Sequence, residues 1–92
     1  MQVKLIRTSG KIEVMEIAKT DAIGHISRLI GANGLDTVNL RDGNVMLVDD
    51  TGVIDNRPVN ALATEFYRAI CRPGTMYSIH GDVAIVIDKD FA

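Results

Sequence analysis

The stretch Asp36-Thr37-Val38-Asn39-Leu40-Arg41-Asp42-Gly43-Asn44-Val45-Met46-Leu47-Val48 decides how this chain folds. Asp36 to Arg41 and Val45 to Val48 read as two strands. Asp42-Gly43 between them supplies the positive-φ pair that a tight hairpin turn needs. Val45 to Val48 is apolar at consecutive positions and therefore on both faces of its strand. Such a strand belongs inside a sheet, covered on each side by a helix or by another subunit.

Working outward toward the N-terminus, Thr20 stands at a helix N-cap with Asp21 in the first turn, where cap chemistry and the helix dipole favour them. Ala22, Ile23, Ile26, Leu29 and Ile30 follow at helical spacing, and Gly31 or Gly34 ends the run. Gly24 costs this helix about 1 kcal/mol relative to Ala. Further back, Val3 to Arg7 and Ile12 to Ile17 form a hairpin turning at Gly10. Toward the C-terminus, Asp49-Asp50-Thr51-Gly52 makes a turn and Val53-Ile54 a short strand. Pro58 and Asn60 then open a second helix, with Asn60 as cap or first-turn residue. Leu62, Ala63, Phe66, Ala69 and Ile70 form its apolar stripe, and Pro73-Gly74 stops it. Met76 to Ile79 and Val83 to Ile87 close the chain as a hairpin across His80-Gly81-Asp82. The expectation is one α+β domain over residues 1–92, with a largely antiparallel or mixed sheet. Its element order is ββ-α-ββ-α-ββ, with two short helices packed on the sheet.

Composition narrows the function classes. The chain is 47% hydrophobic but only 4% aromatic, without Trp, so its core is Ile, Val, Leu and Met. A thin aliphatic core in a small domain favours a homo-oligomer. A net charge of −2 with scattered Lys and Arg argues against duplex nucleic acid as a partner. No apolar run approaches the ~20 residues of a membrane-spanning helix, and the N-terminal stretch lacks the features of a signal peptide. The lone Cys71 excludes an internal disulfide and a cysteine-based zinc site, and fits a reducing, cytoplasmic location.

No catalytic constellation assembles from the sequence. Asp49 and Asp50 are adjacent and point to opposite sides of a strand end, and the acids around that turn lack the ligand alternation of a calcium loop. His25 and His80 have no spaced third ligand for a metal. Ser9, Ser27 and Ser78 lie in no nucleophile motif, and the glycines build no phosphate loop. The chain therefore reads as a non-enzymatic protein without catalytic residues, cofactor or metal.

One cluster can bind. Asn56, Arg57 and Asn60 crowd a helix start, where free N–H groups and the positive dipole end favour anions. Tyr67 offers a stacking face and Arg68 a phosphate fork, while Asn60 offers a bidentate amide for a base or ribose. The five residues Asn56, Arg57, Asn60, Tyr67 and Arg68 are the parts of a nucleotide site. The same residues also read as a helix cap, a half-buried rim tyrosine and a solvated basic face.

The ordered pieces from about Asp21 to Ile87 resemble a family. They are Leu29-Ile30-Gly31, Asp36-Thr37-Val38-Asn39-Leu40, Val45-Met46-Leu47-Val48-Asp49-Asp50-Thr51-Gly52, Pro58-Val59-Asn60 with Ala63-Thr64, and Ile79-His80-Gly81-Asp82-Val83. Together they are similar to an uncharacterised family of small proteins common in phages, prophages and plasmids. The chain departs from that pattern at Gly31-Ala32, where relatives carry two glycines, and at Asp50, where they carry Glu or Asn. The Pro58-x-Asn60 piece and the last hairpin also resemble the Thoeris anti-defence sponges. That resemblance implies an oligomer that captures a cyclic nucleotide immune signal between subunits without cleaving it, in the host cytoplasm. It also implies Asn60 as a ligand contact. The competing expectation is a protein-binding module or inhibitor of a host enzyme, pairing through an exposed sheet edge or face.

Overall fold

Two hairpins flank one central strand. The computed structural model describes residues 1–40, 43–50, 56–70 and 78–87. Strands β1 (Gln2–Ile6) and β2 (Ile12–Glu16) form the first hairpin, and β3 (Leu35–Asn39) and β4 (Asn44–Asp49) the second. The last strand, β5 (Val83–Ile87), inserts between them, so the sheet order is β2-β1-β5-β4-β3 with every neighbour antiparallel. Helix α1 (Ala22–Ile30) links the two hairpins, and α2 (Ala61–Ile70) precedes β5.

The alternation of side chains along these strands makes two cores. On one face Val3, Leu5, Val45, Leu47, Ala84 and Val86 pack against Ala22, Ile26 and Ile30 of α1. On the other, Ile6, Met46, Val48 and Val83 pack against Ala63, with Leu62 and Tyr67 of α2 partly buried beside them. Strand β4 is thus buried on both faces by the chain's own helices. Each apolar side of its run faces a helix of the chain itself, helped on the α2 side by Val38, Leu40 and Ile79.

Several local expectations are corrected. The final hairpin does not form: β5 takes both of its partners from β1 and β4, and the preceding segment instead makes a single bridge, Val59 to His80. Five residues as apolar as Val83-Ala84-Ile85-Val86-Ile87 bury more surface between two strands than at the edge of a hairpin. Asp21, not Thr20, holds the N-cap position of α1, with left-handed backbone (φ 54°) and no side-chain cap bond. Asp49 ends β4 as a buried residue instead of opening a turn. The apolar stripe of α2 splits: Asn60, Ala63, Thr64 and Tyr67, spaced three and four apart, face inward, while Phe66 and Ala69 face out. Residues 41–42, 51–55, 71–77 and 88–92 lie outside the described residues, and with them Asp42, Val53-Ile54, Cys71 and the first half of the expected Met76–Ile79 strand.

The end of α1 is the most tightly built junction. Gly31 is left-handed (φ 66°), its N–H reaching Arg28 O at 3.3 Å while Ala32 N–H reaches Ser27 O at 2.9 Å. These are the two bonds of a Schellman-type C-cap. Among the described residues, no helix is long and apolar enough to cross a membrane.

Candidate functional site

The five residues proposed for ligand binding sit around the start and outer side of α2, and the structure separates them into two groups. Residues 58–60 run antiparallel to residues 79–81. Asn60 N–H donates to Ile79 O and Gly81 N–H to Pro58 O, both at 2.8 Å. This short ladder delivers the chain into α2 and brings residues that are twenty or more apart in sequence side by side.

Asn60 is the pin of that junction. Its side-chain amide donates to Ile6 O at 2.8 Å and to Gly81 O at 3.1 Å, and its Oδ1 accepts from Ala63 N–H at 3.1 Å. At 1% exposure it has both amide protons and its cap acceptor committed to β1, the residue two before β5 and the first turn of α2. Thr64, one turn on, accepts from Ile79 N–H at 2.9 Å through Oγ1. The geometry matches the reading of Asn60 as a cap, extended by two further bonds that the sequence does not announce.

Arg57 is equally committed. Its Nη2 donates to Gly31 O at the end of α1, and its Nε lies 2.7 Å from Asp49 Oδ2, whose side chain is 1% exposed. The Arg57–Asp49 contact is close but not aligned as a hydrogen bond, so its attraction is Coulombic. Gly81 makes room for this arginine: a Cβ there would meet Arg57 Cδ at 2.9 Å, and its φ of +85° suits glycine alone. The Arg57 carbonyl accepts from His80 Nδ1 at 2.8 Å. That bond fixes the proton on Nδ1 and leaves Nε2 to accept from Ser78 Oγ at 2.9 Å. Ser78 and His80 therefore adopt a nucleophile–base spacing that the sequence motifs do not suggest. The nearby N–H groups of Ile79 and Gly81, which an oxyanion would need, are already given to Thr64 and Pro58.

A second arginine closes the same helix end from the other side. Arg7 donates from Nε to Glu13 at 2.8 Å and from Nη1 to Leu29 O at 2.8 Å and Asp82 Oδ2 at 3.0 Å. Asp82 Oδ1 also accepts from Thr8 N–H at 2.9 Å. Arg7 and Arg57 thus place two cations on carbonyls at the negative end of the α1 dipole. The hydrogen bond to Glu13 leads in raising the Arg7 pKa further, and the same bond holds the Glu13 carboxyl below its ordinary range. The pairing of Arg7 with Asp82 and Leu29 O does not show in the sequence, because those partners lie far along the chain.

The other three expected residues lie elsewhere. Asn56 is exposed, with left-handed backbone (φ 56°). Tyr67 is half-buried against the Ile6–Met46–Val48 cluster, and Arg68 is exposed in the last turn of α2. Among the described residues, no group of three or more His, Cys, Asp or Glu side chains converges as a metal site would require.

The unused surface lies on the α2 side of the sheet. α2 covers the half built from Ile6, Val83, Met46 and Val48. The other half holds a shallow groove of about 400 Å³ lined by Gln2, Lys4, Val14 (56% exposed), Asn44, Ile85 and Ile87 (39%), while Ile12 (49%) stands next to Ile6 on the edge strand. β2 borders this groove and, among the described strands, stands at the edge of the sheet. No protein-family model, curated protein or solved structure matches the chain.

Proposed function

We propose that this chain is a non-enzymatic binding protein that captures a protein partner on the open half of its sheet. The observation that carries this reading is the set of exposed aliphatic side chains, Ile12, Val14 and Ile87, on a sheet face beside β2, the edge strand among those described. Exposed aliphatic side chains on a sheet face, interleaved here with Lys4 and Gln2, suit a protein partner that brings apolar and charged groups together. The polar residues that could have argued for chemistry are instead spent inside the fold, on the ends of both helices. Cross-linked capture from a host lysate with the wild-type chain and with a Val14→Lys variant tests the reading. The expected result is a cross-linked protein, a second copy of the chain or a protein of the lysate, held by the first and lost by the second. Equal capture by both would remove the open face from the account.

The second reading is sequestration of a small nucleotide-like immune signal by a phage- or mobile-element protein countering host defence in the cytoplasm. It is supported by the sequence resemblance and by the exposure of Arg68 and Asn56. Arg57 and Asn60 support it only indirectly, by fixing where α2 begins. Calorimetric titration with cyclic dinucleotides, cyclic trinucleotides and cyclic ADP-ribose isomers separates the two readings: selective heat that disappears in Arg68→Ala supports sequestration, and silence across the panel removes it.

A further inference from the structure

The open half of the sheet has a pattern of charge as well as exposed carbon. In register across the strands, Val14 of β2 stands opposite Lys4 of β1, and Lys4 stands opposite Ile85 of β5. Lys4 is therefore an exposed cation with an aliphatic residue on either side, and it makes no ion pair among the described residues. Two residues on from Val14, on the same face, Glu16 presents a carboxylate that is 75% exposed and only loosely engaged, 3.6 Å from the Met1 amino group. A partner seated on this surface must bring aliphatic side chains for Val14, Ile85 and Ile87, an acid for Lys4 and a base for Glu16.

The chain's own face carries that set. A two-fold axis brings the same patch to both sides of an interface, so that residue i of one copy meets residue j of the other and the reverse. We propose that the occupant of the open face is a second copy of this chain, docked face to face about a two-fold axis. In this dimer Lys4 of each copy meets Glu16 of the other, and Val14, Ile85 and Ile87 pack between them. The proposal rests on the binding reading above and names its partner. The lysine stem lies along the aliphatic surface and its ammonium reaches outward to the partner carboxylate. The patch is a handful of side chains on each copy, so the association is weak and concentration-dependent.

A charge exchange tests it. Both positions are exposed, so Lys4→Glu and Glu16→Lys leave the core and the α1 junction intact. Each variant alone sets like charges against each other at both symmetric contacts. In an equimolar mixture of the two variants, the acid introduced at position 4 of one chain meets the base introduced at position 16 of the other. The second contact of that mixed dimer joins the unaltered Glu16 and Lys4, so both contacts are attractive again. Sedimentation equilibrium from low micromolar to near-millimolar concentration is expected to show a wild-type monomer–dimer equilibrium. Each variant alone should self-associate about tenfold or more weakly, and the mixture should regain wild-type association. A wild type that stays monomeric throughout, or variants that self-associate like the wild type, would overturn the proposal. Nile red fluorescence on the same samples keeps the two claims apart. A monomer that still lights the dye, with the signal lost in Val14→Lys, leaves the open apolar face standing and removes only the second copy as its occupant. A monomer that does not light it removes both.

Discussion

Asn60→Ala should destabilise this domain more than any surface substitution, with an effect that can be assembled bond by bond. The side chain donates to the Ile6 and Gly81 carbonyls and accepts from Ala63 N–H while 1% exposed. Loss of an N-cap costs about 1 kcal/mol. Each buried carbonyl left without its donor adds about 1 kcal/mol or a little more, the lower part of the usual range because a carbonyl has a second lone pair. The sum is about 3–4 kcal/mol, against a total stability of about 5–14 kcal/mol for a domain of this length. With a urea dependence of about 1.5 kcal/mol per molar, the unfolding midpoint falls by about 2 M at unchanged slope. Asn60→Asp is the informative companion. It keeps the cap acceptor but turns a carboxylate toward two carbonyls, so at neutral pH it should lose at least as much as Ala. Urea titrations followed by far-UV circular dichroism measure both. An Ala midpoint within about 0.3 M of wild type, or an Asp variant more stable than wild type, would refute the assignment of Asn60 as a structural pin and return it to the ligand candidates.

Three further outcomes follow from the same structure. Arg57→Met takes the guanidinium away from the buried Asp49 carboxylate and should cost about 2–3 kcal/mol, reduced from the cost at a fully buried pair because Arg57 keeps some exposure. A double-mutant cycle with Asp49→Asn should show coupling of at least about 1 kcal/mol, and strict additivity would contradict a direct pair. Gly24→Ala should stabilise by up to about 1 kcal/mol: the nearest atoms to the new methyl belong to the exposed carboxylate of Asp21, which must swing aside, and thermal unfolding would register a loss if it cannot. Glu13 has its pKa lowered in the fold by Arg7, so its contribution is complete above the ordinary carboxylate range and is lost as pH falls through the lowered value. Wild type and Glu13→Gln should therefore differ in stability at neutral pH and converge in strong acid, and a constant difference across pH would contradict the pairing.

Much of the fold could be read from local signals. Asp42-Gly43 and the double-sided apolar run of Val45 to Val48 predict the second hairpin and its interior position, and of the two glycines that could end α1, Gly31 and Gly34, the first does so. The misreadings share one cause, which is that long-range pairing outweighs local pattern. β5 looks like half of a terminal hairpin until β1 and β4 compete for it, and α2's stripe follows the three- and four-residue spacing from Asn60 instead of its most apolar side chains. The candidate site suffered most. Arg57 and Asn60 have the chemistry of ligand contacts, and only their partners at Gly31, Asp49, Ile6 and Gly81 mark them as structural. Residue identity gives chemical capacity; burial and distance decide whether that capacity is already used. An exposed sheet edge or face was among the expectations, but its residues were not legible, for the converse reason. Ile12 and Val14 read as ordinary strand residues, and only the extent of α2 leaves them exposed.

The central claim, that this protein works through the open half of its sheet, is tested most directly by a photoreactive side chain placed at position 14 and, as a control, at position 23. Both positions are about half exposed, but Ile23 lies on α1 against the opposite face. Irradiation should give an adduct at position 14 whose mass is twice that of the 10.0 kDa chain, and little at position 23. Adducts at position 23 with none at position 14 would place the working surface elsewhere and contradict the account.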